Sequence, residues 1–247
     1  LIISHSNNFI FFKSIKTAGT SIEASLSYYC DSGDFCTGPS ERDGDFYFIR
    51  KFNDNHYKSI NNFDKANMLD RFHSHTYPNM LYDRTGSKWE KYSKITCVRN
   101  PWDLFVSYYW WCMRQRSDSS YIISQNDSKS EIRRKFRMFM LSPARFDNGI
   151  EIASQNSKNI ISPIEWLSIN TNNFITSDID HFIRFENISE DIDSVFKSLN
   201  LKSRPVNKYK SNLRKTDHHY TEYYDSLTKS QISTSFKSII EKFKYKF

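Results

Sequence analysis

Four consecutive apolar residues, Phe9-Ile10-Phe11-Phe12, stand between polar stretches and read as a buried strand. Ile22, Leu26 and Tyr29 then recur at helical spacing, which predicts a helix from about Thr20 to Tyr29. Lys94–Val98 reads as a second buried strand. The helix after it opens clearly: Asn100 suits the N-cap, Pro101 the first helical position and Asp103 the first turn. Trp102, Phe105, Val106, Tyr109 and Met113 form one stripe along it, the signature of a core face.

The remaining elements are read in the same way. Leu69–His75 predicts a short strand, and Glu131–Leu141 a basic helix. Ile161–Ile169 with Asn173–Thr176 suggests a hairpin, and His181–Phe185 a strand. Ser189 is the expected cap of a helix whose Ile192, Val195, Phe196 and Leu199 share a face. Thr228–Phe243 predicts one closing amphipathic helix through Ile232, Phe236, Ile239, Ile240 and Phe243. Cys30–Arg42 is a polar loop, Asp45–Phe52 a candidate excursion strand and Lys202–His219 a basic connector. Alternating strands and helices argue for an α/β fold with a mostly parallel central sheet flanked by helices. Residues 1–247 are expected to form a single domain with divergent inserts near 30–67 and 117–130.

At 247 residues, with 38% hydrophobic and 16% aromatic content, the chain can bury a full core. A net charge of +7 favours anionic partners without choosing among nucleotides, acidic glycans, nucleic acids and membranes. No run approaches 18 apolar residues, and Leu1–Ile3 is too short an apolar start for a signal peptide. A cytoplasmic location is expected, with the Golgi lumen as the alternative if an upstream anchor was removed. Cys30, Cys36, Cys97 and Cys112 form neither a disulfide framework nor a zinc pattern. Cys30 and Cys36 could pair, but free thiols are the preferred reading.

Lys16, Thr17, Ala18, Gly19, Thr20 and Ser21 lie in the turn between the first strand and its helix. Unpaired N–H groups and the helix dipole make such a turn an anion cradle. Gly19 would allow close backbone approach, Thr20 and Ser21 would add hydroxyls, and Lys16 a full charge. The order differs from the triphosphate-binding loop, in which the lysine follows the second glycine. An ordinary strand–turn–helix with a surface lysine is the competing reading. Arg99 closes the second strand, and its planar fork of donors suits phosphate. Ser107 lies eight positions on, roughly 12 Å along a helix.

Lys16–Ser21, together with Val98-Arg99-Asn100-Pro101-Trp102-Asp103-Leu104-Phe105-Val106-Ser107-Tyr108-Tyr109, resembles the sulfotransferases that use 3′-phosphoadenosine 5′-phosphosulfate (PAPS). The resemblance is closest to the carbohydrate-type branch, which includes heparan-sulfate 2-O-sulfotransferases and microbial relatives. Phe182–Ile188, Tyr223-Tyr224 and Phe243–Tyr245 extend it along the chain. Ile15 departs from it, because many members have Pro before the lysine. The resemblance implies a P-loop-like sheet, with Lys16, Thr17, Ala18, Gly19, Thr20 and Ser21 at the 5′-phosphosulfate and Arg99 and Ser107 at the 3′-phosphate. It places a catalytic histidine in His73-Ser74-His75, with His75 the chosen base and His73 assisting. Arg214 and Lys215 are expected to close over the nucleotide, although a solvated basic connector is an equal reading.

The expected reaction moves a sulfonyl group to an acceptor hydroxyl, on a carbohydrate, and releases adenosine 3′,5′-bisphosphate. Lys16 would stabilise the leaving group, and no metal is required. Neither nucleic acid nor a membrane span is expected. The alternatives are a P-loop-type nucleotide kinase and a noncatalytic protein that binds anionic glycans or nucleic acid.

Overall fold

A computed structural model describes residues 1–31, 33–36, 75–114, 120–142, 162–207 and 214–247. The expectations for His73, for the strands at Leu69–His75 and Asp45–Phe52, and for most of the insert near 30–67 fall wholly or largely outside these residues. In chain order the strands are β1 (Ile2–Ser4), β2 (Phe9–Phe12), β3 (Phe35–Cys36), β4 (Ser93–Val98) and β5 (His181–Arg184). The helices are α1 (Gly19–Ser27), α2 (Pro78–Thr85), α3 (Pro101–Met113), α4 (Lys129–Met140), α5 (Pro163–Asn172), α6 (Ile188–Ser198), α7 (Ser226–Ser235) and α8 (Lys237–Phe243). They fall into two compact units, Leu1–Arg99 with Asn173–Tyr209 and Asn100–Asn172 with Lys210–Phe247.

The first unit holds the whole sheet, in the order β3-β1-β2-β4-β5. β1 runs antiparallel to β2 and β3, whereas β2, β4 and β5 are parallel neighbours. Four of the five strands therefore share a direction, and β1 alone opposes them. Phe12 is in register with Thr96, and Val98 with Arg184, so the three parallel strands end at one edge. Side chains alternate across a strand. Phe9 and Phe11 accordingly join Ile22 and Leu26 of α1 and Ile192, Val195 and Phe196 of α6 in one cluster. Ile10 and Phe12 join a second cluster with Leu81 of α2, Trp89 and Phe174. β2 has no solvent face, which is why its sequence is an unbroken apolar run.

The second unit is helical and aromatic. Asn100 caps α3 as predicted, its side chain accepting from the Trp102 N–H at 3.1 Å. Phe105, Tyr108, Tyr109, Phe136 and Phe139 are buried, with edge contacts such as Phe105–Phe136 and Tyr109–Phe139. Tyr109 donates to the Tyr121 carbonyl at 2.5 Å and accepts from Ile123 N–H at 3.0 Å. Trp110 donates to the Tyr223 hydroxyl at 3.0 Å, which satisfies two polar groups inside the core.

Several expectations are corrected. Ile161–Thr176 is not a hairpin among the described residues, because Pro163–Asn172 is a helix. Its buried Ile164, Trp166 and Leu167 suit a helix face as well as a strand. The helix at Ile188 begins after Asn187, so Ser189 lies inside its first turn rather than at its cap. The closing helix is two, α7 and α8, broken at Phe236. Arg184 pairs with Asp191 of α6, at 2.8 and 2.7 Å. β1, β3 and α2 carry too short or too mixed a pattern to be read in advance. Among the described residues no helix is long and apolar enough to cross a membrane.

Phe11 fills the cluster between β2, α1 and α6, so Phe11→Ala is expected to lower unfolding stability by about 3–5 kcal/mol. Urea denaturation with an unchanged m-value would measure it, and a loss below about 1 kcal/mol would contradict this packing.

Candidate active site

The turn after β2 has a strained backbone. Lys16 and Ala18 both adopt left-handed conformations, with φ of 59° and 61°. Non-glycine residues rarely do so without a functional or structural demand. Along the turn, Lys16, Ala18 and Thr20 are partly exposed, whereas Thr17, Gly19 and Ser21 are buried. Ile15, at the position where proline was anticipated, is buried as well. No side chain caps α1, and its first turn carries no acidic residue. The N–H groups of Ser21 and Ile22 return to the Ala18 carbonyl, at 2.9 and 3.2 Å. Those of Gly19 and Thr20 donate to no group among the described residues. The helix start thus presents donors and positive potential.

Thr17 does not point outward. Its hydroxyl contacts Ser14 Oγ and Cys97 Sγ, each at 2.8 Å, and Ser14 Oγ donates to the Cys97 carbonyl. These bonds tie the turn to β4, so any contact of Thr17 with an anion falls to its main chain. Burial pushes the Cys97 thiol above its usual range, which keeps it a neutral partner.

Gly19 also has a packing role. A Cβ there would come within 2.6 Å of Lys13 Cγ. The glycine makes room for Lys13 to pass beneath the start of α1 and reach Glu23, with Nζ 2.7 Å from Oε2. Both side chains are buried, at 8% and 1% exposure. Burial acts to raise the Glu23 carboxyl, but Lys13 and the Leu1 amino group hold it down to about 2.

His75 stands over the same turn. Its Nδ1 is 2.8 Å from the Lys13 carbonyl, an acceptor only. The neutral ring must therefore carry its proton on Nδ1, which leaves the lone pair on Nε2. Burial, reinforced by the Lys13 charge, lowers its pKa to about 3.

Arg99 joins the two motifs. Its Nη1 donates to the Lys16 carbonyl at 3.0 Å, and its guanidinium lies 3.8 Å from the centroid of the Phe185 ring. Residues following β2, β4 and β5 therefore meet at the carboxyl edge of the parallel strands, where ligands bind in sheets of this kind. Ser107, Arg214 and Lys215 belong to the second unit. There Ser107 sits one turn beyond Asp103 on the partly exposed stripe of α3, and Arg214 pairs with Asp103 at 2.8 Å. Lys215 is exposed. Trp110 is core, whereas Trp111 is partly exposed and stacked at 6.0 Å on Tyr108. All four cysteines are buried thiols outside any disulfide.

Sequence reasoning passed over Lys13, Ser14, Glu23 and Cys97. A lysine directly after an apolar run and a glutamate inside a buried helix were the available signals for the first and third.

The family model described as the sulfotransferase family matches residues 1–246. This chain belongs to the sulfotransferase family, whose members are transferases that move sulfonyl groups. No curated protein and no solved structure matches it significantly.

The buried charges set a pH dependence. The folded protein holds His75 neutral down to about 3, whereas an unfolded chain protonates histidine near 6.5. Between those values the unfolded state binds more protons, so stability falls as pH drops. Glu23, depressed from 4.5 to about 2, extends the loss to lower pH. Stability is expected to decline from pH 6.5 toward pH 5 by up to ~1.4 kcal/mol per pH unit for this one group. Urea titrations at pH 7 and pH 5 should show the decline in the wild type and a shallower one in His75→Gln. Parallel declines would refute the assignment.

Proposed function

We propose that the protein transfers the sulfonyl group of PAPS to an acceptor hydroxyl, with His75 as base and Lys16 as the leaving-group stabiliser. The observation that supports this reading is the hydrogen bond from Arg99 Nη1 to the Lys16 carbonyl, which brings Arg99 beside the Lys16 turn at one sheet edge. The residues suit the donor: an uncapped helix start, a partly exposed lysine and an arginine fork are the groups a doubly charged nucleotide end requires.

The donor supplies an activated sulfonyl group on a phosphate leaving group. Gly19 and Thr20 N–H groups and the Lys16 ammonium stabilise negative charge growing on the bridging oxygen. Arg99 binds the 3′-phosphate. Ser107 and Arg214, gathered around Asp103, are the second unit's candidate phosphate contacts, with Lys215 beside Arg214 in sequence. His75 takes the acceptor proton on Nε2. Its low pKa belongs to the protein without ligand, and a bound polyanion nearby raises it toward the working range. His73 is proposed only to assist. A carbohydrate acceptor is proposed from the motif resemblance, and a net charge of +7 is compatible with an acidic one.

The reading is tested by calorimetric titration with adenosine 3′,5′-bisphosphate, followed by an acceptor screen with labelled sulfate donor. Lys16→Ala should lower turnover about 10²–10³-fold. His75→Ala should lower it about 10²–10⁴-fold with nucleotide binding retained. Near wild-type turnover in either variant would remove that residue's role.

Arg99→Ala should weaken the 3′-phosphorylated nucleotide about 10-fold or more beyond its effect on the 3′-hydroxyl analogue, as expected for a charge-assisted contact. Equal losses would mean that Arg99 acts only by holding the Lys16 carbonyl.

A further inference from the structure

Lys13 touches both the proposed base and the start of the anion-binding helix. Its carbonyl accepts from His75 Nδ1–H at 2.8 Å. Its side chain crosses Gly19 and ends on Glu23, 2.7 Å away and nearly sealed from solvent. A lysine three positions before Lys16 would ordinarily reach for the same anion. Here its ammonium is buried against the carboxylate of α1, so it cannot serve as a second phosphate donor without abandoning Glu23. The pair connects the end of β2 to α1 across the turn that carries the His75 acceptor.

We propose that Lys13 and Glu23 are positioning residues for His75: their buried ion pair holds the turn so that the Lys13 carbonyl orients the imidazole with its Nε2 lone pair toward the acceptor. This rests on the reading in which His75 is the base. The pair also sets the field at the ring. The charged groups acting on His75 among the described residues are Lys13 after β2, the amino group of Leu1 before β1, and Glu23 on α1. The two cations disfavour the imidazolium, and Glu23 favours it. Lys13 is the strongest of these charges at the ring and Glu23 the weakest, so with the pair intact Glu23 offsets the cation only in part. Removing either one alone unbalances the field in a known direction.

Opposite displacements are therefore expected from the two single variants. Glu23→Gln leaves Lys13 uncompensated, so the acidic limb of kcat should move to lower pH, with kcat at least about tenfold lower and KM for the nucleotide within about twofold. Such a split marks a loss of transition-state rather than ground-state interaction. Lys13→Met removes the nearby cation, so the limb should move to higher pH. A merely structural pair would lower activity in both without moving the limbs apart. Identical limbs in the two variants, or shifts in the same direction, would overturn the proposal.

Folding is controlled with Lys13→Met/Glu23→Leu, because exchanging a buried ion pair for apolar residues commonly preserves stability. If this variant melts like the wild type and stays slow, positioning is supported; if it regains wild-type kcat, the proposal fails. A readout independent of turnover separates this test from that of the sulfonyl-transfer reading. In the ¹⁵N spectrum of histidine-labelled protein, the His75 resonances, identified by their loss in His75→Gln, should report the Nδ1-protonated tautomer in the wild type and a mixture in Glu23→Gln. An Nε2-protonated ring in the wild type would sink the positioning role even if sulfonyl transfer is confirmed.

Discussion

The parallel pairing of Phe9–Phe12 with Ser93–Val98 is the constraint on which the site depends. Parallel neighbours end on the same side, so two turns that are more than 80 residues apart in the chain leave the sheet together. Had β4 run the other way, Arg99 would leave the opposite edge and could not reach the Lys16 carbonyl. The pairing is held from both faces, with Phe9 and Phe11 packed under α1 and α6 and Ile10 and Phe12 packed toward α2. Burial on both faces specifies the register strongly, because a slip of one residue would exchange the two clusters.

Around that edge the protein keeps one set of polar groups inside and another available. Thr17, Ser14 and Cys97 bond one another beneath the turn, and Lys13 bonds Glu23. These internal bonds hold Lys16 and Ala18 in left-handed conformations that the chain would otherwise leave. Lys16 is partly exposed on the turn, and the Gly19 and Thr20 N–H groups donate to no group among the described residues. The backbone strain and the uncapped helix start are two aspects of the same design, since a side-chain cap would occupy the donors that an anion needs.

The helical unit is built differently. Its core is aromatic, and its buried hydroxyl and indole groups are paired, as in Trp110 with Tyr223 and Tyr109 with Tyr121 and Ile123. That leaves α3 with one partly exposed stripe through Asp103, Ser107 and Trp111. Arg214 is anchored to Asp103 on that stripe. A buried aromatic face is readily seen in a sequence; which side chain settles on the remaining stripe is not.

The sequence alone determined the strand at Phe9–Phe12, the helix starts at Gly19 and Asn100, the strand at Lys94–Val98 and the family of the two motifs. Each is written in contiguous residues whose burial or capping chemistry is local. It did not determine the helix at Pro163–Asn172, where a hairpin was expected, because a short apolar run fits two periodicities. Only the tertiary structure decided that Gly19 yields space to Lys13, that Thr17 faces inward and that His75 is protonated on Nδ1. Those facts arise where β2, α1, β4 and the segment leading into α2 converge. No local pattern encodes distances between side chains that the chain brings together only on folding.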